Sequence, residues 1–551
     1  MKLFSNIYFN RYQKILLLFF PVIYFIAGSY FRHLLGNLSL RSCDPEYIYF
    51  MSGLTVADGV IKVGHIDNPG TPLQILVALV LRIVYFIRAT PTPFLDDVLT
   101  HPDLYLGVVS LSLTMLSTLL LLFAGYKVFK YTHNIVYAIL IQTSIFLPVI
   151  WYDLVGRVAP ELMMPFPVIL LGVMIIGIYS KNKEIGEKEI GIFAFLSAFG
   201  LAIKLSFIPV LIIPFILIPK WKSKLIFIGL SVLLFFIIAF PVTLQLDIFW
   251  GWIKNLIMHS GTYGKGEANI IDIQQFKANI REICNLEKRF FYVMMTLVAA
   301  IITYYVIFRK KADKKLLIAG IAISVTIAIQ LLLVGKHFAH RYFIPVLMFA
   351  PLMVFLTAEI IRKIYPKKVT LWAVNLLIVL LLISNIRYNH FWLNIKTQAM
   401  GTDIENRLPT WHVAQSLEQD SYKIITSQNY GSPFIEYTLF YSHVWANNEK
   451  RVEYKDVLGR LYPKAYSYFT WNDEMKYWKY KFSADSIINS GNKTYLYIER
   501  DEQALFDKTI SKLQSEDTTS FNIASQLLYR NPATTEVIYE LNFSKTAENI
   551  E

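Results

Sequence analysis

From residue 15 to residue 386 the sequence is a succession of apolar runs, near 15–35, 104–126, 134–151, 161–180, 189–205, 206–219, 225–246, 290–308, 316–334, 342–361 and 369–386. Most approach the roughly 20 residues that a helix needs to cross about 30 Å of hydrocarbon. In lipid every backbone polar group must be satisfied within the protein, so such a chain spans as helices. The pattern predicts a polytopic α-helical membrane protein with about 11 crossings. The least regular stretch is 189–219, where Lys204 lies inside the run and Pro209 and Pro214 follow. A kinked hairpin fits it best. The first run is long and aromatic and continues into Tyr30, Phe31 and Arg32, which predicts a retained anchor rather than a cleaved leader.

Charge divides the chain at residue 386. Only 17% of residues are charged, against about 25% in soluble domains. The net charge is +13. Residues 387–551 carry 18 Lys/Arg against 21 Asp/Glu, so the whole basic excess belongs to 1–386. There it falls in alternate short loops: Lys2, Arg11 and Lys14; Lys127 and Lys130; the mixed segment 181–189; Lys220, Lys222 and Lys224; Arg309 to Lys315; Arg362 to Lys368. The positive-inside rule puts these, with the N-terminus, in the cytoplasm. The remaining loops, 36–103 and 247–289 among them, and the tail 387–551 then face outward. The excess reads as topology, and no nucleic-acid partner is expected. This parity requires that 71–88, which carries Arg82, lie at the outer interface rather than cross.

The tail has the length and composition of one soluble domain. Strand-like 421–427, 494–499 and 535–541 alternate with helix-like 435–446 and 503–513, which predicts an extracytoplasmic α/β fold. Its aromatic residues between Tyr462 and Tyr480 suit sugar stacking or interfacial anchoring equally. Cys43 and Cys284 both fall on outward loops; pairing is not readable from two cysteines, and two free thiols is the simpler expectation.

Four polar clusters stand at the outward ends of the apolar runs. Asp44-Pro45-Glu46 places two carboxylates at the membrane edge, where partial burial suits one of them to act as a base. A helix cap explains an Asp before Pro equally well. His65-Ile66-Asp67-Asn68-Pro69-Gly70-Thr71-Pro72 forms a stiff turn that fixes His65 and Asp67. Arg157 and Glu161 flank Pro160 at the mouth of a span, as functional groups or, for Arg157, as a snorkelling lipid contact. Lys336, His337, His340, Arg341 and Tyr342 place cations on the outer side, against the positive-inside tendency. A fixed anionic partner accounts for them; the His337/His340 spacing also admits a metal, although no third ligand is evident. Read together, the clusters suit an outward cavity in which a lipid-linked phosphate leaves while a base deprotonates an acceptor. No Gly-rich nucleotide loop is present, which disfavours a soluble nucleotide-sugar donor. The rival reading, a flippase of a lipid-linked glycan, calls for paired charges deep in the spans, and the sequence shows only Lys204 mid-run.

At these residues the sequence resembles the GT-C fold glycosyltransferases, polytopic enzymes related to the protein O-mannosyltransferases and aminoarabinose transferases (glycosyltransferase family 39-like). Asp44-Pro45-Glu46-Tyr47 resembles their acidic motif after the first span, with Asp44 at the catalytic position. The His65–Pro72 stretch is similar to their acidic or His residue before a proline pair, although Pro69-Gly-Thr-Pro72 replaces the tight pair. Glu161 stands where many members have Asp, and Lys336–Tyr342 resembles their donor-phosphate region. The resemblance implies transfer of a hexose or pentose from a polyprenyl-phosphate donor to a hydroxyl of a protein, lipid or glycan, with inversion, in a bacterial inner membrane. It implies Asp44, Glu46, Asp67 and Glu161 as catalytic residues. His65, Arg157, Lys336, His337, His340, Arg341 and Tyr342 follow as substrate-binding residues. Some members use a divalent cation and others none, so no cofactor is fixed. The expected division is 1–386, containing loop 36–103 and interfacial helix 71–88, and 387–551.

Overall fold

The computed structural model describes residues 11–259, 266, 271–428, 431–517 and 521–545. Lys2, assigned above to the cytoplasmic side, lies outside them. The longer helices are α1 (Arg11–Leu34), α2 (Glu46–Ala57), α3 (Thr71–Arg88), α4 (Pro102–Thr132), α5 (Pro165–Ser180), α6 (Glu187–Ile203), α7 (Trp221–Ile238), α8 (Leu246–Met258), α9 (Ile273–Leu286), α10 (Lys288–Phe308), α11 (Lys314–Lys336), α12 (Ala350–Ile364), α13 (Lys368–Ser416), α14 (Ile435–Ser442), α15 (Asn448–Leu461) and α16 (Gln503–Glu516). The chain forms two compact units. The first comprises the chain up to Tyr30, Ile66–Leu73 and Leu111–Lys396; the second comprises Phe31–His65, Gln74–Ser110 and the chain from Thr397.

Among the described residues nine helices are long and apolar enough to cross a membrane, and the chain is a polytopic helical membrane protein. Thr71–Arg88 is one of the nine by length and composition. The other eight fall on the 11 apolar runs; runs 134–151, 189–205 and 206–219 hold no helix of that length, for local reasons. Run 134–151 is interrupted: Asn134 caps a helix of only eight residues, Ile135–Gln142, and the chain then passes into 3-10 turns on either side of Pro148. Gln142 fastens this short helix by donating to the carbonyls of Leu17 (2.9 Å) and Leu121 (3.1 Å). A Cβ on Gly125 would lie 2.3 Å from that amide, so only glycine admits it. Run 189–219 breaks at Lys204, as the kinked-hairpin reading expects. Helix α6 stops at Ile203, Lys204 is extended, and a 3-10 segment with Pro209 follows.

In the first unit, the apolar windows of Pro160–Ser180 and His340–Ile364 are 72% and 83% buried, whereas that of Trp221–Ile238 is 17% buried. Helices that are apolar all round sort this way: those at the centre bury every face, and those at the rim turn Leu, Ile and Phe toward lipid. Helix α13 runs 49 residues without a break, past the change of composition at residue 386.

The second unit holds a six-stranded sheet: β1 (Tyr422–Ser427), β2 (Ala465–Phe469), β3 (Glu474–Tyr477), β4 (Thr494–Ile498), β5 (Phe521–Arg530) and β6 (Val537–Lys545), in the order β3-β2-β1-β4-β6-β5. The central β2-β1-β4 ladder is parallel and the outer pairings are antiparallel. The predicted α/β domain is present, with β2, β3 and β5 in addition to the strands read from sequence. Half of the aromatic cluster is core: Tyr466, Tyr468, Phe469 and Trp478 are buried, Tyr462 and Tyr477 are half-buried, and Trp471 and Tyr480 are exposed.

Candidate active site

In the first unit the chemistry gathers at three chain breaks. Ala159 is extended and Pro160 opens a single 3-10 turn, which places Glu161 in the first turn of Pro160–Met163. The break after α6 supplies Lys204. Their side chains meet: Lys204 Nζ donates to Glu161 Oε1, and both residues are buried. A third break follows α11, where extended Ala339 leads into the turn His340–Phe343. It sets Arg341 Nε 3.5 Å from Glu161 Oε1. Lys204 Nζ also stands 4.8 Å from the Tyr342 ring centroid. Gln330 binds two of these breaks together, donating to the carbonyls of Ser206 (3.0 Å) and Tyr342 (2.7 Å).

The two cations differ in access. The Lys204 side chain is 5% exposed and that of Arg341 is 34% exposed. Lys204 therefore neutralises Glu161, while the Arg341 side chain stays about one-third exposed beside it. Glu161 Oε2 has no hydrogen-bond partner among the described residues. Sequence reading flagged Lys204 only as a misplaced charge; a lysine inside an apolar run is a signal for a buried carboxylate partner, and here that partner is Glu161.

The other cations of the late cluster are engaged elsewhere. Lys336 Nζ donates to the carbonyls of Leu256 (2.9 Å) and Ile257 (2.6 Å) at the end of α8, and His337 Nε2 lies 2.8 Å from the Leu256 carbonyl. This is a helix C-terminus satisfied by a cation. His340 Nε2 lies 2.8 Å from Glu287 Oε1. Burial pushes the Glu287 carboxyl up, and His340 works against it. The two histidines thus have separate partners. Among the described residues no group of three or more His, Cys, Asp or Glu side chains forms a metal-binding cluster. Arg157 and Asp67 are half-buried, the latter in the turn where Gly70 takes φ +62°.

Asp44, Glu46 and His65 belong to the second unit. Asp44 follows the short helix Leu38–Arg41, and its N–H donates to Ser42 Oγ (3.3 Å), which donates in turn to the Asp44 carbonyl (2.8 Å). The Asp44–Pro45 bond is cis, and α2 begins at Glu46. Glu46 is 1% exposed, whereas Asp44 is half-buried. The two acidic residues of this motif thus differ in burial. Burial pushes the Cys43 thiol well up, with the Asp44 charge adding to it, so this cysteine is an inert packing group. Cys43 and Cys284 are free.

The loop after β1 braces this motif. Ser432 N donates to the Ser39 carbonyl (3.1 Å), and a Cβ on Gly431 would lie 2.5 Å from the Arg41 carbonyl oxygen. Asp103 holds the other side, accepting from Ser39 N (3.1 Å) and Oγ (2.5 Å), with Arg32 in the field of Asp103 and Glu46. Neither Asp103 nor Arg32 is among the site residues expected from the sequence. His65 is wedged between Tyr49 and Trp445, each ring centroid 5.2 Å away, and its carbonyl accepts from Gln74 Nε2 (2.8 Å).

Among solved structures, the chain is similar to the crystal structure of ArnT from Cupriavidus metallidurans bound to undecaprenyl phosphate. The match covers 94% of this chain and 97% of that one, at 8% identity and a TM-score of 0.48. No family model matches the chain, and no curated protein matches it. With so low an identity and TM-score, the residue roles rest on this chain alone.

Proposed function

We propose that this protein is a membrane glycosyltransferase that moves a sugar from a polyprenyl-phosphate-linked donor to an acceptor hydroxyl, on a protein, lipid or glycan, at the outer face of the membrane. The observation that carries this reading is the Arg341 side chain, 34% exposed beside the buried Glu161–Lys204 pair, at the ends of apolar helices. A lipid-anchored phosphate is the anion that reaches such a place. A guanidinium is suited to it because its fork of donors matches phosphate oxygens.

In the reaction, the acceptor oxygen forms a bond to the anomeric carbon as the bond from that carbon to the phosphate oxygen breaks. Arg341, with Arg157, stabilises the negative charge that the leaving phosphate gains. Glu161 and Lys204 orient Arg341. Asp44, the less buried acidic residue of its motif, takes the acceptor proton. Glu46, His65 and Asp67 position the Asp44 segment and the turn that follows it. Lys336, His337 and His340 hold α8 and Glu287 in place. No step is routed through a metal.

The test is transfer by the purified full-length protein from a panel of labelled polyprenyl-phosphate sugars, with Asp44→Asn beside it. The reading expects transfer from at least one donor, a loss of about 10²–10⁴ in rate for Asp44→Asn, and unchanged donor binding. Wild-type turnover by Asp44→Asn would remove Asp44 as the base. Donor binding without transfer across the panel would favour movement of the glycan lipid instead.

A further inference from the structure

At the other end of the first unit lies a cavity of about 460 Å³ that the reaction above does not use. It is lined by the last turns of α4 and α5, by α12 from Phe355 onward, by Tyr137 and by the first turn of α11. Helix α11 has 23 residues, so its two ends are about 35 Å apart. Its last residue, Lys336, leads to Arg341, and its first turn lines this cavity. The cavity is therefore remote from Glu161 and sits where the basic loops gather.

Its charges do not balance. Glu359 accepts from Arg362 Nη1 (2.6 Å) and from the Tyr137 hydroxyl (2.8 Å), and Asp313 lies 3.3 Å from Lys363 Nζ. Among the described residues the third cation, Lys315, donates to neutral oxygens: Asn182 Oδ1 (2.8 Å) and the carbonyls of Asn182 and Lys183 (3.2 Å each). Three cations thus face two carboxylates. The Arg362 and Lys363 side chains line the cavity and are 38% and 48% exposed. The wall is aromatic: Phe355 packs edge-on against Tyr137 and Tyr179, and Tyr131 lies under Lys181 Nζ at 4.5 Å. A basic, tyrosine-rimmed cavity between helix ends has the chemistry of a lipid headgroup site, with donors for a phosphate and rings for the glycerol and upper acyl chain.

We propose that this cavity holds the phosphate of an anionic membrane phospholipid. The assignment does not depend on glycosyl transfer. The test is native mass spectrometry of the full-length protein from micelles doped with phosphatidylglycerol or with phosphatidylcholine. The expected result is preferential retention of phosphatidylglycerol. Lys315→Ala and Lys363→Ala should each weaken it about fivefold, and Lys363→Arg should preserve it. Should an alanine variant fail to fold, Tyr179→Phe keeps the ring against Phe355 and is expected to weaken retention about threefold. Equal retention of both lipids, or retention unchanged in all these variants, would overturn the proposal. Displacement of the lipid by millimolar inorganic phosphate would overturn the lipid as the source of the anion.

Discussion

Lys204→Met tests the electrostatic centre of the first unit. Glu161 is 1% exposed and Lys204 4% exposed, so neither charge is solvated by water. Removing one partner of a buried pair costs about 3–5 kcal/mol, because the other charge stays buried. Arg341 remains 3.5 Å from Glu161 Oε1, which puts the expected loss near the lower bound, about 3 kcal/mol, or two decades in the folding equilibrium. Glu161→Gln should cost more, since it leaves Lys204 and Arg341 as neighbouring cations without a counter-charge. The double variant Glu161→Gln/Lys204→Met removes the buried pair together and should return to within about 1 kcal/mol of wild type. The assay is denaturant titration in micelles followed by tryptophan fluorescence. The reasoning fails if Lys204→Met unfolds within about 0.5 kcal/mol of wild type, or if the double variant is no better than the worse single one.

Three further outcomes are expected. Arg341→Ala should weaken binding of a polyprenyl-phosphate analogue by about 1.5–3 kcal/mol, as for a hydrogen bond to a charged group, measured by titration with the full-length protein; unchanged affinity counts against its phosphate role. Gly431→Ala, whose Cβ would press on the Arg41 carbonyl at 2.5 Å, should destabilise by about 1–3 kcal/mol and slow transfer by shifting the Asp44 loop, whereas an unaltered rate would show that the loop does not depend on this brace. Burial drives the His443 pKa from 6.5 down to about 4, with Lys476, Arg451 and Lys455 adding to it. Below pH 6.5 the unfolded chain takes up a proton that the folded ring refuses until about pH 4, so stability should fall as the pH drops through that window, by about 1–3 kcal/mol. Denaturation of His443→Gln and wild type across that range checks this, since the variant should lose less.

The sequence determined the class of the molecule. Apolar runs matched to a bilayer, a basic excess confined to 1–386 and a soluble composition after residue 386 leave a helical membrane protein with an α/β domain as the consistent solution, because lipid tolerates no open backbone and the tail has ordinary polarity. It also showed where polar groups stand out against their surroundings: Asp44 and Glu46, Glu161, Lys204 and Arg341. What it left undecided was partnership and access, which depend on residues far apart in the chain. Only the tertiary structure pairs Glu161 with Lys204, 43 positions away, and leaves the Arg341 side chain about one-third exposed beside them. It turns Lys336 and His337 to the end of α8, and buries Glu46 while Asp44 stays half-buried. Even the break of run 134–151 waits on Gln142 finding carbonyls on α1 and α4. Hydrophobic length is a local property and is legible residue by residue; the cost of burying a charge is settled only by whatever the fold places beside it.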